Sequence, residues 1–257
     1  MFEVKNLEVR YRDQIPALQN LSFSLRKGEA IGVVGRSGAG KTTLLKALVR
    51  TLPRDAKVNK GEILYRDKSI FKFSEREFNR LRGKAIGMLP QNAQASLNPF
   101  LKIRKFIAEG SRRHQGMGWK QAKAEALKLI ELVGLESAWS SAYPAQLSGG
   151  MRTRTVLAAL LVCGADYILL DEPTSGLDII AQVSLAELLN KIRKIEGVGM
   201  LIVSHELPFV WQVCDKIIML ERGKVVEEIE RGHPGFQSKL AREFLESVPR
   251  INDGNLK

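Results

Sequence analysis

Short apolar runs dominate the pattern along this chain. Ala30-Ile31-Gly32-Val33-Val34, Tyr167-Ile168-Leu169-Leu170 and Met200-Leu201-Ile202-Val203 are continuous and too short for helices, which is how buried strands read. Ala85-Ile86-Gly87-Met88-Leu89-Pro90 is a fourth strand candidate, ended by its proline. The segment from Phe2 to Tyr11 alternates instead (Val4, Leu7, Val9, Tyr11), and Leu18 to Leu25 is expected to pair with it antiparallel across a turn from Asp13 to Pro16. Glu62 to Tyr65 is a further short strand. A hairpin around Arg222-Gly223, with arms Asp215 to Glu221 and Lys224 to Ile229, closes the series.

Between these strands the period shifts to that of helices. Leu44 to Val49, Thr155 to Cys163 and Ile180 to Ile195 carry apolar residues at helical spacing, and Ser74-Glu75-Arg76-Glu77 offers an N-cap serine with a capping-box acid three residues on. From Leu101 to Ala142 strand character disappears. Trp119 to Val133 sets Ala122, Ala126, Leu127, Ile130 and Val133 on one side and Lys120, Lys123 and Lys128 elsewhere. The expected organisation is an α/β domain over residues 1–232 with a helical insertion at about 95–150. Residues 233–257 should form a tail helix with Phe236, Leu240, Phe244 and Leu245 on one face.

Composition narrows the class. At 257 residues and 44% hydrophobic, the chain can bury a sizeable core, and no apolar run approaches a membrane span. Met1 to Asn6 has neither the basic start nor the apolar block of a signal peptide, so a cytoplasmic protein is expected. Cys163 and Cys214 stand far apart in apolar surroundings and read as small buried hydrophobes. The net charge of +12 asks for an anionic partner: nucleic acid, acidic lipid or polyphosphate. Its denser stretches are Arg76 to Lys84, Lys102 to Arg113 and Arg152-Thr153-Arg154.

The chemistry centres on Gly35-Arg36-Ser37-Gly38-Ala39-Gly40-Lys41-Thr42-Thr43, a P-loop pattern with strand before and helix after. The glycines let successive N–H groups point into one concavity, and the positive end of the following helix adds to the attraction for a phosphate chain. Lys41 would reach the β- and γ-phosphates, and the Thr42 hydroxyl would coordinate a bridging Mg²⁺. Asp171-Glu172 ends an apolar strand, where two adjacent carboxylates need positive charge nearby. Asp171 is expected on the metal and Glu172 as general base toward water. His205 follows Ser204 at another strand tip, within reach of a γ-phosphate oxygen, and Tyr11 is placed to stack on an adenine. Gln91 sits on a loop after Pro90. Ser148-Gly149-Gly150 precedes a helix and makes a second anion-binding terminus.

Taken in order, Tyr11, the P-loop, Gln91, Leu147-Ser148-Gly149-Gly150, Asp171-Glu172, the turn Ser175 to Asp178 and His205 resemble the motif series of the ATP-binding cassette ATPases, across nearly the whole chain. The resemblance implies a RecA-like P-loop core with an antiparallel β subdomain and an inserted α-helical subdomain. It implies that ATP and Mg²⁺ are bound, with Gln91 joining Thr42 and Asp171 around the metal. Two cassettes would pair head to tail, so that Ser148, Gly149, Gly150 and Asp178 contact ATP held on the other chain's P-loop. The segment Ala95-Ser96-Leu97-Asn98-Pro99, Tyr143-Pro144, and the ending from His233-Pro234 to Val248-Pro249 are similar to peptide, opine and nickel importers. Pro90, where an apolar or aromatic residue is usual, and Met151, in place of the commoner glutamine, depart from the family wording.

The implied function is an ATP-hydrolysing subunit at the cytoplasmic face of the membrane, driving uptake through separate permease subunits fed by an extracellular or periplasmic binding protein. A soluble cassette acting on nucleic acid or ribosomes is the alternative that the positive charge favours. Against it stand the lack of a long heptad segment, of zinc-spaced cysteines and of a second cassette, so no nucleic acid partner is expected.

Overall fold

The computed structural model describes residues 1–12, 15–231, 238 and 241–242. In chain order the strands are β1 (Phe2–Tyr11), β2 (Ile15–Leu25), β3 (Ala30–Val34), β4 (Ala56–Tyr65), β5 (Lys68–Ser69), β6 (Ile86–Leu89), β7 (Tyr167–Asp171), β8 (Gly199–Ser204), β9 (Lys216–Glu221) and β10 (Lys224–Glu230). The helices are α1 (Lys41–Leu48), α2 (Glu75–Leu81), α3 (Ile103–Gln115), α4 (Trp119–Leu132), α5 (Gly149–Leu161), α6 (Ile179–Glu196) and α7 (Leu207–Val213).

The apolar runs become the middle of a six-stranded sheet in the order β10-β9-β3-β8-β7-β6, parallel except for β10. Every residue of β3, β7 and β8 is buried, as expected for parallel strands covered on both faces. Alternate side chains divide between two cores. Ala30, Val34, Ile168, Leu170, Met200 and Ile202 join the helices α3 to α7, whereas Ile31, Val33, Tyr167, Leu169, Leu201 and Val203 face α1 and the smaller sheet. That smaller sheet is antiparallel, in the order β2-β1-β4-β5. The fold is therefore the α/β P-loop arrangement expected, with an antiparallel sheet on one side and helices on the other.

Several local expectations need correction. The strand read as Glu62 to Tyr65 begins at Ala56, because Lys57, Asn59, Lys60 and Glu62 point to solvent and conceal the pairing with β1 that extends to Ala56 opposite Tyr11. The P-loop helix begins at Lys41 rather than Leu44. On α4 the fully buried stripe is Ala122, Ala126, Leu129 and Ile130, with Leu127 only half-buried against it. The capping box at Ser74 and Glu77 forms as read, each side chain meeting the other's backbone N–H. Cys163 and Cys214 are buried free thiols, both pushed up by burial. Asp13, Gln14 and the tail residues Phe236, Leu240, Phe244 and Leu245 lie outside the described residues.

One polar cluster joins the two sheets. The Tyr65 phenol of β4 donates to Asp166 Oδ2, just before β7, at 2.6 Å; Arg66 adds a bond of 3.0 Å to the same oxygen and Lys27 pairs with the other. Burial would raise the Asp166 carboxyl, but the hydrogen bonds from Lys27 and Tyr65 outweigh it and hold it below its ordinary value. A bond from a buried hydroxyl to a charged group is worth more than a neutral one, so Tyr65→Phe is expected to lower unfolding free energy by about 1–2 kcal/mol. An unchanged midpoint in urea would mean that the two charged partners alone hold the sheets together.

Candidate functional site

Because β9, β3, β8, β7 and β6 run parallel, their carboxyl ends share one edge of the sheet, where ligands of open α/β sheets collect. That edge presents, in spatial order, Arg222 after β9, the P-loop after β3, His205 after β8, Asp171-Glu172 at the end of β7 and Gln91 beyond β6. Residues far apart in the chain are thus ranged side by side.

The P-loop wraps the start of α1. Gly40, its N-cap, has φ +106° and lies so close to the Ala17 carbonyl that a Cβ would come within 2.4 Å of that oxygen. No side chain fits there without moving β2. Lys41 is 8% exposed, and its Nζ donates to the carbonyls of Gly35 at 2.7 Å and Arg36 at 3.3 Å. Burial pulls its ammonium below the ordinary lysine value, against the opposing fields of Glu172 and Asp171. Glu172 Oε1 stands 3.9 Å from that Nζ. Loop and lysine line a cleft of about 790 Å³ with Ser37, Gly38, Ala39, Thr42 and Thr43 as floor and Tyr11, Pro16, Ala17, Gln19, Gln91, Glu172 and Arg222 around the rim. Tyr11 reaches the cleft as expected, and its hydroxyl lies 3.3 Å from Thr43 Oγ1.

The carboxylates divide by environment. Asp171 is 4% exposed and its Oδ1 has no hydrogen-bond partner among the described residues. Burial raises its carboxyl, Glu172 raises it further, and Lys41 pulls the other way. Glu172 adopts φ +48°, a left-handed backbone that a glutamate takes only where its surroundings impose it. Its amide donates to the Val203 carbonyl at 2.8 Å, which anchors that backbone to β8. Its Oε2 lies 2.7 Å from His205 Nδ1 and accepts from the His205 amide at 3.3 Å. Most of the His205 ring remains exposed.

Ser148 and Asp178 do different local work. Ser148 caps α5 by accepting from the Met151 amide at 3.3 Å, and Asp178 caps α6 by accepting from the Ala181 amide at 2.8 Å. Gly149 lies against Gln94, while Gly150 faces open space. Ser148, Gly150 and Asp178 share a hollow of about 390 Å³ with Met151, Thr153, Arg154 and Leu177, which has no lining residue in common with the P-loop cleft. The two groups expected to act on one nucleotide therefore line separate hollows of the same chain.

Three features of the site had no sequence signal. Arg222 reaches the cleft through the β9–β10 turn, where Gln19 Nε2 donates to its carbonyl across 203 residues of chain. Arg152 links Gln94 (3.3 Å) to the Pro144 carbonyl (3.0 Å) and so ties the segment after Gln91 to the start of α5. Gln182 donates to both the Leu177 carbonyl (3.2 Å) and Glu206 (3.3 Å), bracing the turn before α6 against the segment after His205.

Comparison with known proteins fits this geometry. A family model described as ABC transporter matches residues 18–175. The dipeptide transport ATP-binding protein DppD of Bacillus subtilis is 35% identical over 260 residues, covering 98% of this chain and 78% of the relative. The oligopeptide transport ATP-binding protein OppD of Salmonella typhimurium is 32% identical, covering 98% of this chain and 77% of its own. Among solved structures, the dimeric bacterial ABC transporter cassette MJ0796 superposes with a TM-score of 0.78 at 27% identity, covering 90% of this chain and 99% of that one. The same cassette has also been solved as a post-hydrolysis dimer bound to ADP and phosphate. With its P-loop cleft, its strand-end carboxylates and these relatives, the chain belongs to the ABC transporter family and is an ATP-binding, ATP-hydrolysing subunit.

Proposed function

We propose that this subunit powers the uptake of small peptides through separate permease subunits, working as one of a pair of cassettes at the cytoplasmic face of a membrane. The names of the DppD and OppD relatives carry the peptide reading, and neither mentions nickel or an opine. No described helix is long and apolar enough to cross a bilayer, and the scheme assigns the membrane-spanning path to other chains. A binding protein that delivers the peptide belongs to the same scheme.

The observation that carries the mechanism is the convergence of Lys41 and the Glu172–His205 pair on one cleft. Lys41, with the loop amides of Gly35 to Thr43, binds the phosphate chain, and Tyr11 covers the adenine. Glu172 accepts the proton of the attacking water. His205 orients that carboxylate: an Nδ1–H donated to Oε2 holds it in place. Thr42, Asp171 and Gln91 would hold a Mg²⁺, whose charge would balance the phosphates; the unpartnered buried Oδ1 of Asp171 and the hard oxygen donors fit such an ion.

Ser148, Gly149, Gly150 and Asp178 then serve the partner's nucleotide, since on their own chain the hollow at Ser148, Gly150 and Asp178 shares no wall with the cleft. The segment from about 95 to 150, tied to the Gln91 loop through Gln94 and Arg152, is the unit that would pass cassette closure to a permease. The nucleic-acid alternative loses part of its basis, because the guanidinium groups of Arg50, Arg82, Arg152 and Arg154 are occupied by backbone carbonyls of this chain.

Glu172→Gln is expected to retain ATP binding, to cut turnover by roughly 10²–10⁴-fold and to accumulate a nucleotide-bound dimer. ATPase assays and gel filtration measure this, and full turnover by that variant would remove Glu172 from its role. For Lys41→Ala, loss of a charge-assisted contact predicts roughly 10- to 100-fold weaker affinity in an equilibrium titration with labelled ATP; native affinity would refute its assignment. Ser148→Arg should leave single-chain nucleotide binding intact and abolish both dimer and turnover. If it lost binding as a monomer instead, Ser148 would act in its own chain. Cells relying on the Glu172→Gln chain should fail to take up a radiolabelled dipeptide, and undiminished uptake would rule out the peptide reading.

A further inference from the structure

One basic surface lies outside both the nucleotide cleft and the hollow at Ser148. Helices α3 and α4 together carry seven Lys and Arg against three Glu. Across them lies a shallow, open hollow of about 460 Å³ lined by Arg104, Lys120 and Lys123 together with the apolar Ala124 and Leu127. Beside it, Trp119 is 37% exposed and held between two cations, with the Arg112 guanidinium 4.3 Å and the Lys123 ammonium 5.8 Å from its ring centre. The carboxylates of the two helices do not neutralise the group. Glu125 is engaged by Lys128 at 3.1 Å, and among the described residues neither Glu109 nor Glu131 forms an ion pair. Burial together with the charges of Arg113 and Lys84 pushes His114, at the end of α3, below its ordinary value, as a positive local field requires.

This surface differs in kind from the other basic stretches. Arg152 and Arg154 are bound internally to carbonyls, and so are Arg50 and Arg82. Arg104, Arg112, Lys120 and Lys123 have no anionic partner among the described residues. Clustered cations beside small apolar side chains and a half-exposed tryptophan are the features of a membrane-interface contact, in which the ring sits at headgroup depth and the cations meet phosphate. A nucleic-acid surface would instead present a stripe that follows a backbone over many nucleotides.

We propose that the α3–α4 face docks on an anionic phospholipid surface, with a lipid phosphate between Arg104, Lys120 and Lys123 and Trp119 at the headgroup level. The site shares no lining residue with the nucleotide cleft, so its loss should leave nucleotide binding unchanged.

The test is sedimentation of the full chain with vesicles of phosphatidylcholine alone and of phosphatidylcholine mixed with phosphatidylglycerol, at fixed ionic strength. Binding to the mixed vesicles only is expected, with a blue shift of tryptophan emission that disappears in Trp119→Phe. Each basic residue at an anionic surface contributes roughly a fivefold factor, so Arg104→Gln/Lys120→Gln/Lys123→Gln should partition on the order of 100-fold more weakly, with unchanged ATP affinity. Arg104 is half-buried, so the double variant of the exposed Lys120 and Lys123 repeats the measurement without a packing change and should lose on the order of 20-fold. A charge-matched control, Lys60→Gln/Lys191→Gln/Lys224→Gln, removes exposed lysines from β4, α6 and β10 and should bind nearly as well as the native chain. Equal loss in the control would reduce the effect to net charge and overturn the proposal. Displacement by inorganic phosphate at matched ionic strength would assign the hollow to a free anion, and displacement by duplex DNA would assign the face to nucleic acid; either result overturns it as well.

Discussion

The structure turns on holding one buried ammonium and two carboxylates within a few ångströms of each other. Lys41 follows β3 through the P-loop, Asp171 ends β7 with Glu172 directly after it, and all three are largely removed from water. Burial disfavours charge on Lys41 and Asp171, lowering the lysine and raising the aspartate. Mutual attraction offsets only part of that cost, because two negative groups face one positive group. A site with this imbalance gains from additional fixed positive charge and from donors that receive phosphate. The amides at the head of α1 supply the donors, and a hard cation beside the unpartnered Asp171 oxygen would supply the charge.

Parallel strand order makes that juxtaposition possible. Between the P-loop strand and the carboxylate strand lies β8, whose tip brings His205 to Glu172. The β7–β8 pairing extends through Asp171 opposite Val203, and the Glu172 amide then bonds to the Val203 carbonyl. These bonds hold Glu172 at φ +48°, where strain of order 1–3 kcal/mol is supplied by the surrounding sheet. A relaxed backbone would swing the carboxylate away from His205. The strain thus buys an orientation that side-chain contacts alone would not secure.

What was legible in the chain was whatever is local. The P-loop's strand, glycines, lysine and helix are consecutive, so their geometry follows from their order, and the all-apolar runs of β3, β7 and β8 identify themselves. The capping box at Ser74 needs only its own four residues. Legibility failed where partners are distant or where charge conceals a pattern. The outer half of β4 is a strand only because β1 pairs with it, while its own residues are mostly polar and exposed. Arg222 with Gln19, Gln94 with Arg152, and Gln182 with Glu206 meet through tertiary packing across 24 to 203 positions, and no spacing rule marks them. Helices α3 and α4 fall within the stretch from Leu101 to Ala142 that read as a change of period, but which charges of this region are bound internally could not be read at all. Arg152 and Arg154 carry the same charge as Arg104 and Lys123, and only their surroundings separate the bound guanidiniums from cations with no anionic partner among the described residues.

The two separate hollows constrain what one chain can accomplish. Within a single copy, the P-loop cleft and the hollow at Ser148 have no wall in common, and the helix termini at that hollow already meet local caps. A serine cap uses one amide of the first turn, which leaves the other donors at the head of α5 directed outward beside Gly150, whose surroundings are open. Such a terminus attracts an anion but has none within its own chain to attract. A second cassette related by a twofold axis would satisfy both halves at once, since an isologous contact sets each cleft against the other's hollow. Closure would then depend on a phosphate chain lying in the interface, and loss of the terminal phosphate would weaken both contacts together. Under the proposed mechanism that dependence would convert a hydrolysis step at Glu172 into separation of two rigid bodies, and the Arg152–Gln94 hydrogen bond would tether the start of α5 to the segment after Gln91.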